Sequence, residues 1–123
     1  MHSQAAPSLL EALRTGTALL HVALEKRLPF FCEQLDANWY QRLLQAYYGF
    51  YGPMEVALYD SGLIPDGFDT VMRVQTPTLL NDLRALQLTE GAIHALPRCT
   101  ELPTLDAPAA CLGALYVLEG ATL

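Results

Sequence analysis

Hydrophobic residues recur at Leu9, Leu10, Leu13, Leu20 and Leu24, the three-and-four spacing of one face of an α-helix. Projected at ~100° per residue from Leu13, these leucines, Thr17 and Leu28 fall within about −40° to +60°, which predicts a core stripe. Ser8 and Glu11 have the form of a capping box at its start. Pro29 stops the helix at about Leu28. A second apolar-periodic segment, "YQRLLQAYYGFYGPMEVALYD", opens near Asp36 or Asn38 and runs to Asp60, with Gly62 as its stop. Gly49, Gly52 and Pro53 predict a kink in its middle. A third helix begins at Thr76 with Pro77 at its first position, and "EGAIHAL" forms a short turn before Pro97. A fourth helix starts at Pro108 and carries "GALYVLEGATL" to the chain end. "SGLIPDGFD" and "PRCTELPTLDAP" have loop composition. No strand alternation competes with these helices, so the expected fold class is all-α.

Composition narrows the function classes. Hydrophobic residues make up 52% of the 123 positions and charged ones 16%, ample for a core and unlike a disordered chain. The net charge is −6, from 13 acidic and 7 basic residues. Lys26 is the single lysine and only Lys26 and Arg27 adjoin, which argues against a nucleic-acid surface. Cys32, Cys99 and Cys111 are odd in number and lack CxxC spacing, so reduced thiols in a cytoplasmic protein are expected. No signal-peptide pattern opens the chain, and no apolar run nears the length of a membrane span. Nucleotide loops, GxSxG and HExxH are absent.

Chemistry concentrates on the first and last helices. His21, Arg14 and Glu25 project to ~80°, ~100° and ~120°, a ridge beside the leucine stripe. Glu25 stands one turn after His21, where its carboxylate can reach the imidazole and fix its tautomer. A neutral imidazole with one bare nitrogen is a metal ligand and a common holder of heme iron. Arg14 precedes His21 by two turns, about 10 Å at ~1.5 Å per residue, within reach of carboxylates on a porphyrin edge. The competing reading is a packed, hydrogen-bonded histidine at an apolar border. On the last helix Ala110, Gly113, Ala114, Val117, Gly120 and Ala121 form one strip of small side chains. Such a strip admits either a flat ligand or a closely packed helix. Tyr40, Leu44, Tyr47, Tyr51 and Glu55 make a core stripe on helix two, in which buried hydroxyls and Glu55 need polar partners. His94 is read as structural and His2 as part of a solvated terminus.

Together these segments resemble the heme oxygenases. "LRTGTALLHVALEKRL" looks like their proximal helix, and "LYVLEGATL" like the start of their distal helix in the bacterial form found beside bacteriophytochromes. "YYGFYGPMEVAL", "LLNDLRAL" and "APAACLGALYVLEG" also match in order. The resemblance implies a heme oxygenase-like helical bundle, a single domain over residues 1–123 that ends within the distal helix and is incomplete at its C-terminus. It makes His21 the proximal iron ligand, Glu25 its partner, and Arg14 a heme propionate contact, with Thr17 and Val117 also against heme. Gly120 and Ala121 stand at the catalytic distal position. Ala121 replaces an acidic residue of animal members, as in bacterial relatives. The implied reaction is oxidative cleavage of heme, at once cofactor and substrate, to biliverdin, carbon monoxide and iron. Its implied partners are oxygen, an electron donor such as ferredoxin or a reductase, and a bacteriophytochrome that accepts the product, with no nucleic acid and no membrane.

Two other readings stay open. One is a non-catalytic protein that binds heme or a partner helix through its apolar strip. The other is a non-heme helical enzyme of the thiaminase-like kind, for which Cys111 is the candidate residue.

Overall fold

The computed structural model describes residues 5–28, 36–67 and 73–120, and His2, Cys32 and Ala121 lie outside them. Five helices follow in order among the described residues: α1 (Leu9–Arg27), α2 (Ala37–Asp60), α3 (Thr76–Ala85), α4 (Glu90–His94) and α5 (Pro108–Gly120). Among the described residues there is no strand, so the all-α expectation holds. The chain divides into two compact units, Met1–Asp36 and Ala37–Leu123.

In the first unit the start of α1 is the expected capping box. The Glu11 amide donates to Ser8 Oγ at 3.2 Å, and the Ser8 amide donates to Glu11 Oε2 at 3.2 Å, satisfying two amides that helix geometry leaves without partners. Lys26 and Arg27 in the last turn complement the helix dipole. The expected core stripe is corrected: α1 has no buried residue. Leu9, Leu13, Leu20 and Leu24 are 78%, 56%, 72% and 55% exposed. The leucine periodicity correctly marks an amphipathic helix, but α1 is the one helix described in its unit, and among the described residues of that unit no second helix covers its apolar face.

The second unit holds the core. Tyr51, Met54 and Leu58 of α2 pack with Cys111, Leu115 and Leu118 of α5. Leu44 and Tyr48, on earlier turns of α2, pack with Leu83 of α3 and Ile93 of α4. Thus α2 is the central element, with the other helices laid on it. Of its expected stripe, Leu44, Tyr51 and Glu55 are buried and Tyr47 is half-buried. Tyr40 is corrected to 48% exposed, because the core begins one turn later.

The helical hydrogen-bonding assignment of α2 is continuous through Gly49, Gly52 and Pro53, the segment in which a kink is expected. Pro53 has no amide hydrogen, so the Gly49 carbonyl four residues earlier loses its intrahelical donor. The Cys99 amide supplies it instead, donating to Gly49 O at 2.8 Å. The same crossing explains the glycine: a Cβ at position 49 would overlap the Pro97 carbonyl oxygen. Gly49 and Pro53 are thus the seat of the loop that leads to α5.

The remaining helix ends follow local chemistry. Gly62 takes φ +69° just after α2, a conformation glycine adopts without steric cost. Thr89 caps α4 by accepting from the Ala92 amide at 3.1 Å. After α3 the Leu88 amide donates to Leu83 O and the Gln87 amide to Arg84 O, with Gln87 at φ 72°. This is a Schellman closure with glutamine at the position glycine usually fills.

Candidate functional site

The sequence-selected residues of α1 all face water. Arg14, Thr17, His21 and Glu25 are exposed, on a helix whose seven large exposed hydrophobics are Leu9, Leu10, Leu13, Leu19, Leu20, Val22 and Leu24. Helical geometry sets His21 and Glu25 one turn apart on one side, yet no hydrogen bond joins them among the described residues. The Thr17 hydroxyl donates to Leu13 O at 2.8 Å, the back-bond common to helical threonine. That hydroxyl is spent within its own helix. The His21 imidazole therefore has both nitrogens free for another partner.

On α5 the two faces differ sharply. Cys111, Leu115 and Leu118 are buried, while Val117 is 62% exposed. Gly113 and Gly120 are exposed, and a Cβ at either would meet nothing within 4 Å. Ala110 and Ala114 are half-buried at the border. The strip of small residues is an open face, and no helix of its unit packs on Gly113 or Gly120. Cys111 has no exposed surface and its Sγ lies 3.6 Å from Ser61 Oγ, so its position is that of a core residue, with no access for a substrate. Cys99 and Cys111 are free thiols, as expected.

Polar groups of α2 anchor its neighbours. Glu55 is 4% exposed, and its carboxylate accepts from the Gln75 amide at 2.7 Å, the Thr76 amide at 2.9 Å and the Thr76 hydroxyl. It caps α3 from another helix, where the N-terminal amides and dipole favour negative charge. Gln75 itself provides no side-chain cap. Tyr51, 3% exposed, donates its hydroxyl to Leu118 O at 3.1 Å. Burial, then the nearby Tyr47, Glu55 and Glu119, raise the Tyr51 pKa above its ordinary 10.0. Tyr59 is raised in the same way by burial and by Glu55 and Glu119, against an opposing effect of Arg73. Arg73 pairs with Glu119 at 3.0 Å. The need of Tyr51 and Glu55 for partners was visible in the sequence, but the partners were not.

Two open grooves mark the second unit. One, about 610 Å³, is lined by apolar groups including Pro53, Val56, Val74, Pro77 and Leu80. The other, about 490 Å³, includes Tyr48, Arg84, His94 and Arg98, with the Arg98 guanidinium 4.6 Å over the Tyr48 ring. None of Arg14, Thr17, His21, Glu25, Val117 or Gly120 lines either groove. Among the described residues no group of three or more His, Cys, Asp or Glu could hold a metal ion, and no helix is long and apolar enough to cross a membrane.

The chain is all-α, with a solvent-facing histidine on α1 and an exposed glycine-bearing face on α5. Residues 7–123 match the family model described as heme oxygenase, and the chain belongs to that family. The chemistry of the family is heme degradation, with heme as the bound substrate and oxygen as its co-reactant. No curated protein and no solved structure matches the chain.

Proposed function

We propose that this chain acts in biliverdin-producing heme cleavage, with His21 as the proximal ligand of heme iron. The observation that carries the reading is the exposed, unbonded His21 imidazole beside an uncovered leucine stripe, in a chain of this family. Heme has the matching chemistry: iron for an imidazole, an apolar plane for leucines, and propionates for a guanidinium. Bound heme supplies both the redox-active iron and the ring that is oxidised. His21 would hold the iron through one ring nitrogen, and Glu25 would accept from the other, fixing the tautomer. Arg14 pairs with a propionate. Thr17 and Val117 contribute contact area, and Gly120 leaves room that any side chain would fill. The bacterial form rests on Ala121 standing where animal members carry an acidic residue. From that form follow a cytoplasmic setting, an electron donor such as ferredoxin or a reductase, and a bacteriophytochrome as recipient of the product.

Titration of the full 123-residue chain with hemin, followed by the Soret band, tests this. Saturable one-to-one binding with a histidine-ligated spectrum is expected, together with biliverdin when reductant is added in air. His21→Ala abolishes that spectrum, and Glu25→Ala weakens binding roughly tenfold. Unchanged spectrum and affinity in His21→Ala would remove the ligand assignment. The exposed leucines of α1 also favour a second reading, a non-catalytic protein that docks a partner through this face. Reversible self-association of the chain that hemin neither relieves nor alters would favour it.

A further inference from the structure

The two grooves of the second unit share Leu80 and Arg98, so they adjoin at those side chains. The larger, about 610 Å³, falls within the roughly 300–1,000 Å³ of small-molecule sites. Its wall is mostly apolar, with Val56 60% exposed in it beside Pro53, Pro77 and Leu80. The smaller groove brings two guanidiniums together, in a chain of net charge −6. They are engaged differently. Arg84 is spent: its Nε and Nη2 donate to Glu90 Oε1 at 2.6 Å and Oε2 at 3.2 Å, a fork on a carboxylate. Arg98 makes one long hydrogen bond, from Nη2 to the Tyr48 hydroxyl at 3.4 Å, and lies 4.6 Å over that ring. Among the described residues no carboxylate pairs with it. Stacking on buried Tyr48 thus orients the guanidinium plane and leaves most of its five N–H donors available.

We propose that these grooves form one amphipathic binding site for a small monocarboxylate with an apolar body, its head on Arg98 and its body against Val56, Pro77 and Leu80. The charge pattern selects that chemistry. Arg98 Nη1 lies 3.7 Å from where a Cβ of Gly52 would stand, so the cation sits at the Gly52 end of the apolar groove. Asp60 lines the same groove just over two turns further along α2, about 12 Å at ~1.5 Å per residue. Glu55 also lines it, but its carboxylate is occupied by the Gln75 and Thr76 amides. A second anionic group at the far end of a ligand would meet Asp60, and one turned into the smaller groove would meet Glu90. One negative charge on an apolar body is what remains.

The test is a titration of the full chain, without hemin, with octanoate and with uncharged 1-octanol, followed by amide and guanidinium shifts in NMR. Octanoate is expected to shift Gly52, Val56, Leu80 and the Arg98 Nε–H saturably, and 1-octanol to bind more weakly. Arg98→Gln should weaken octanoate about tenfold to a hundredfold, the loss of charge-assisted hydrogen bonds, and leave 1-octanol unchanged. Arg98 is exposed, so the fold is retained, which far-UV circular dichroism checks. Val56→Glu, also at an exposed position, sets a carboxylate in the groove and abolishes saturation. Arg42→Gln, whose guanidinium lies over Trp39 and lines neither groove, changes nothing. Shifts confined to the exposed leucines of α1, or no saturation at all, overturn the site. Equal affinities for octanoate and 1-octanol, or an unchanged octanoate affinity in Arg98→Gln, overturn the assignment of its head. No hemin is present, so neither result depends on the heme oxygenase reading.

Discussion

α1 has nineteen residues and none buried, whereas α2 has twenty-four with eight buried. Both carry an apolar periodicity, and α1 has the better-formed start. The difference lies in what surrounds them. An amphipathic stripe states that a face requires cover, and tertiary partners decide whether it receives it. For α2 those partners are α3, α4 and α5 within its own unit. For α1, the one helix described in its unit, the apolar side chains remain exposed. Helix formation in α1 thus depends on local terms: capping, charge at its ends and residue propensity.

The comparison is broken most directly by paired truncations. Leu58 and Leu83 have no exposed surface, so Leu58→Ala is expected to cost about 2–5 kcal/mol, the lost burial plus the cavity left behind. Leu20, 72% exposed, buries little, and Leu20→Ala is expected to stay within about 0.5 kcal/mol. Urea unfolding of the chain without heme measures both. A cost at Leu20 equal to that at Leu58 would show that α1 is covered in solution. Adding hemin sharpens the pair: if α1 forms a heme wall, Leu20→Ala lowers hemin affinity while hardly moving the urea midpoint.

A substitution of opposite sign in the two helices comes next in size. Gly49→Ala drives a methyl into the Pro97 carbonyl and disturbs the Cys99–Gly49 bond, for an expected loss of about 1–3 kcal/mol. Gly16 lies inside α1 with nothing within 4 Å of a Cβ. Gly16→Ala is expected to gain about 0.5–1 kcal/mol of helix stability. Far-UV circular dichroism over a thermal ramp separates the two signs, and a stabilising Gly49→Ala would refute the close crossing.

These pairs also show what the sequence could carry. The Ser8–Glu11 box, the Thr76–Pro77 start, the turn after Thr89 and the stop at Gly62 are signals written within a few residues, and all appear in the structure. Gly49 and Pro53 were conspicuous, but their meaning depends on Pro97 and Cys99, nearly fifty residues away. Local rules could therefore reach the expected bend of α2 but not the crossing at Gly49. Glu55 announced that it needed partners, whereas the backbone amides of Gln75 and Thr76 carry no side-chain signature. The placement of His21, Arg14 and Glu25 on one ridge was legible because their spacing sets them on one side of α1. Exposure of that ridge was not, since it depends on the tertiary surroundings of the stripe beside it.

The smallest expected effect is a pH dependence confined to the packed unit. Tyr51 and Tyr59 both have pKa values raised above 10.0, first by burial and then by Glu55 and Glu119, with Tyr47 adding to Tyr51 and Arg73 opposing at Tyr59. A raised tyrosine pKa means that the folded state holds the phenolic proton more tightly than the unfolded chain. Their contribution is therefore complete below pH 10 and declines as pH rises through the unfolded value towards the folded one. Ionised Tyr51 could no longer donate to Leu118 O, so the alkaline loss should appear first at the end of α5. Tyr51→Phe removes the part of this dependence that Tyr51 carries, and Tyr59→Phe removes the part carried by Tyr59. Unfolding followed from pH 8 to 11 by urea midpoint would read this directly. A wild-type midpoint as steep as that of Tyr51→Phe would place the alkaline sensitivity elsewhere in the chain.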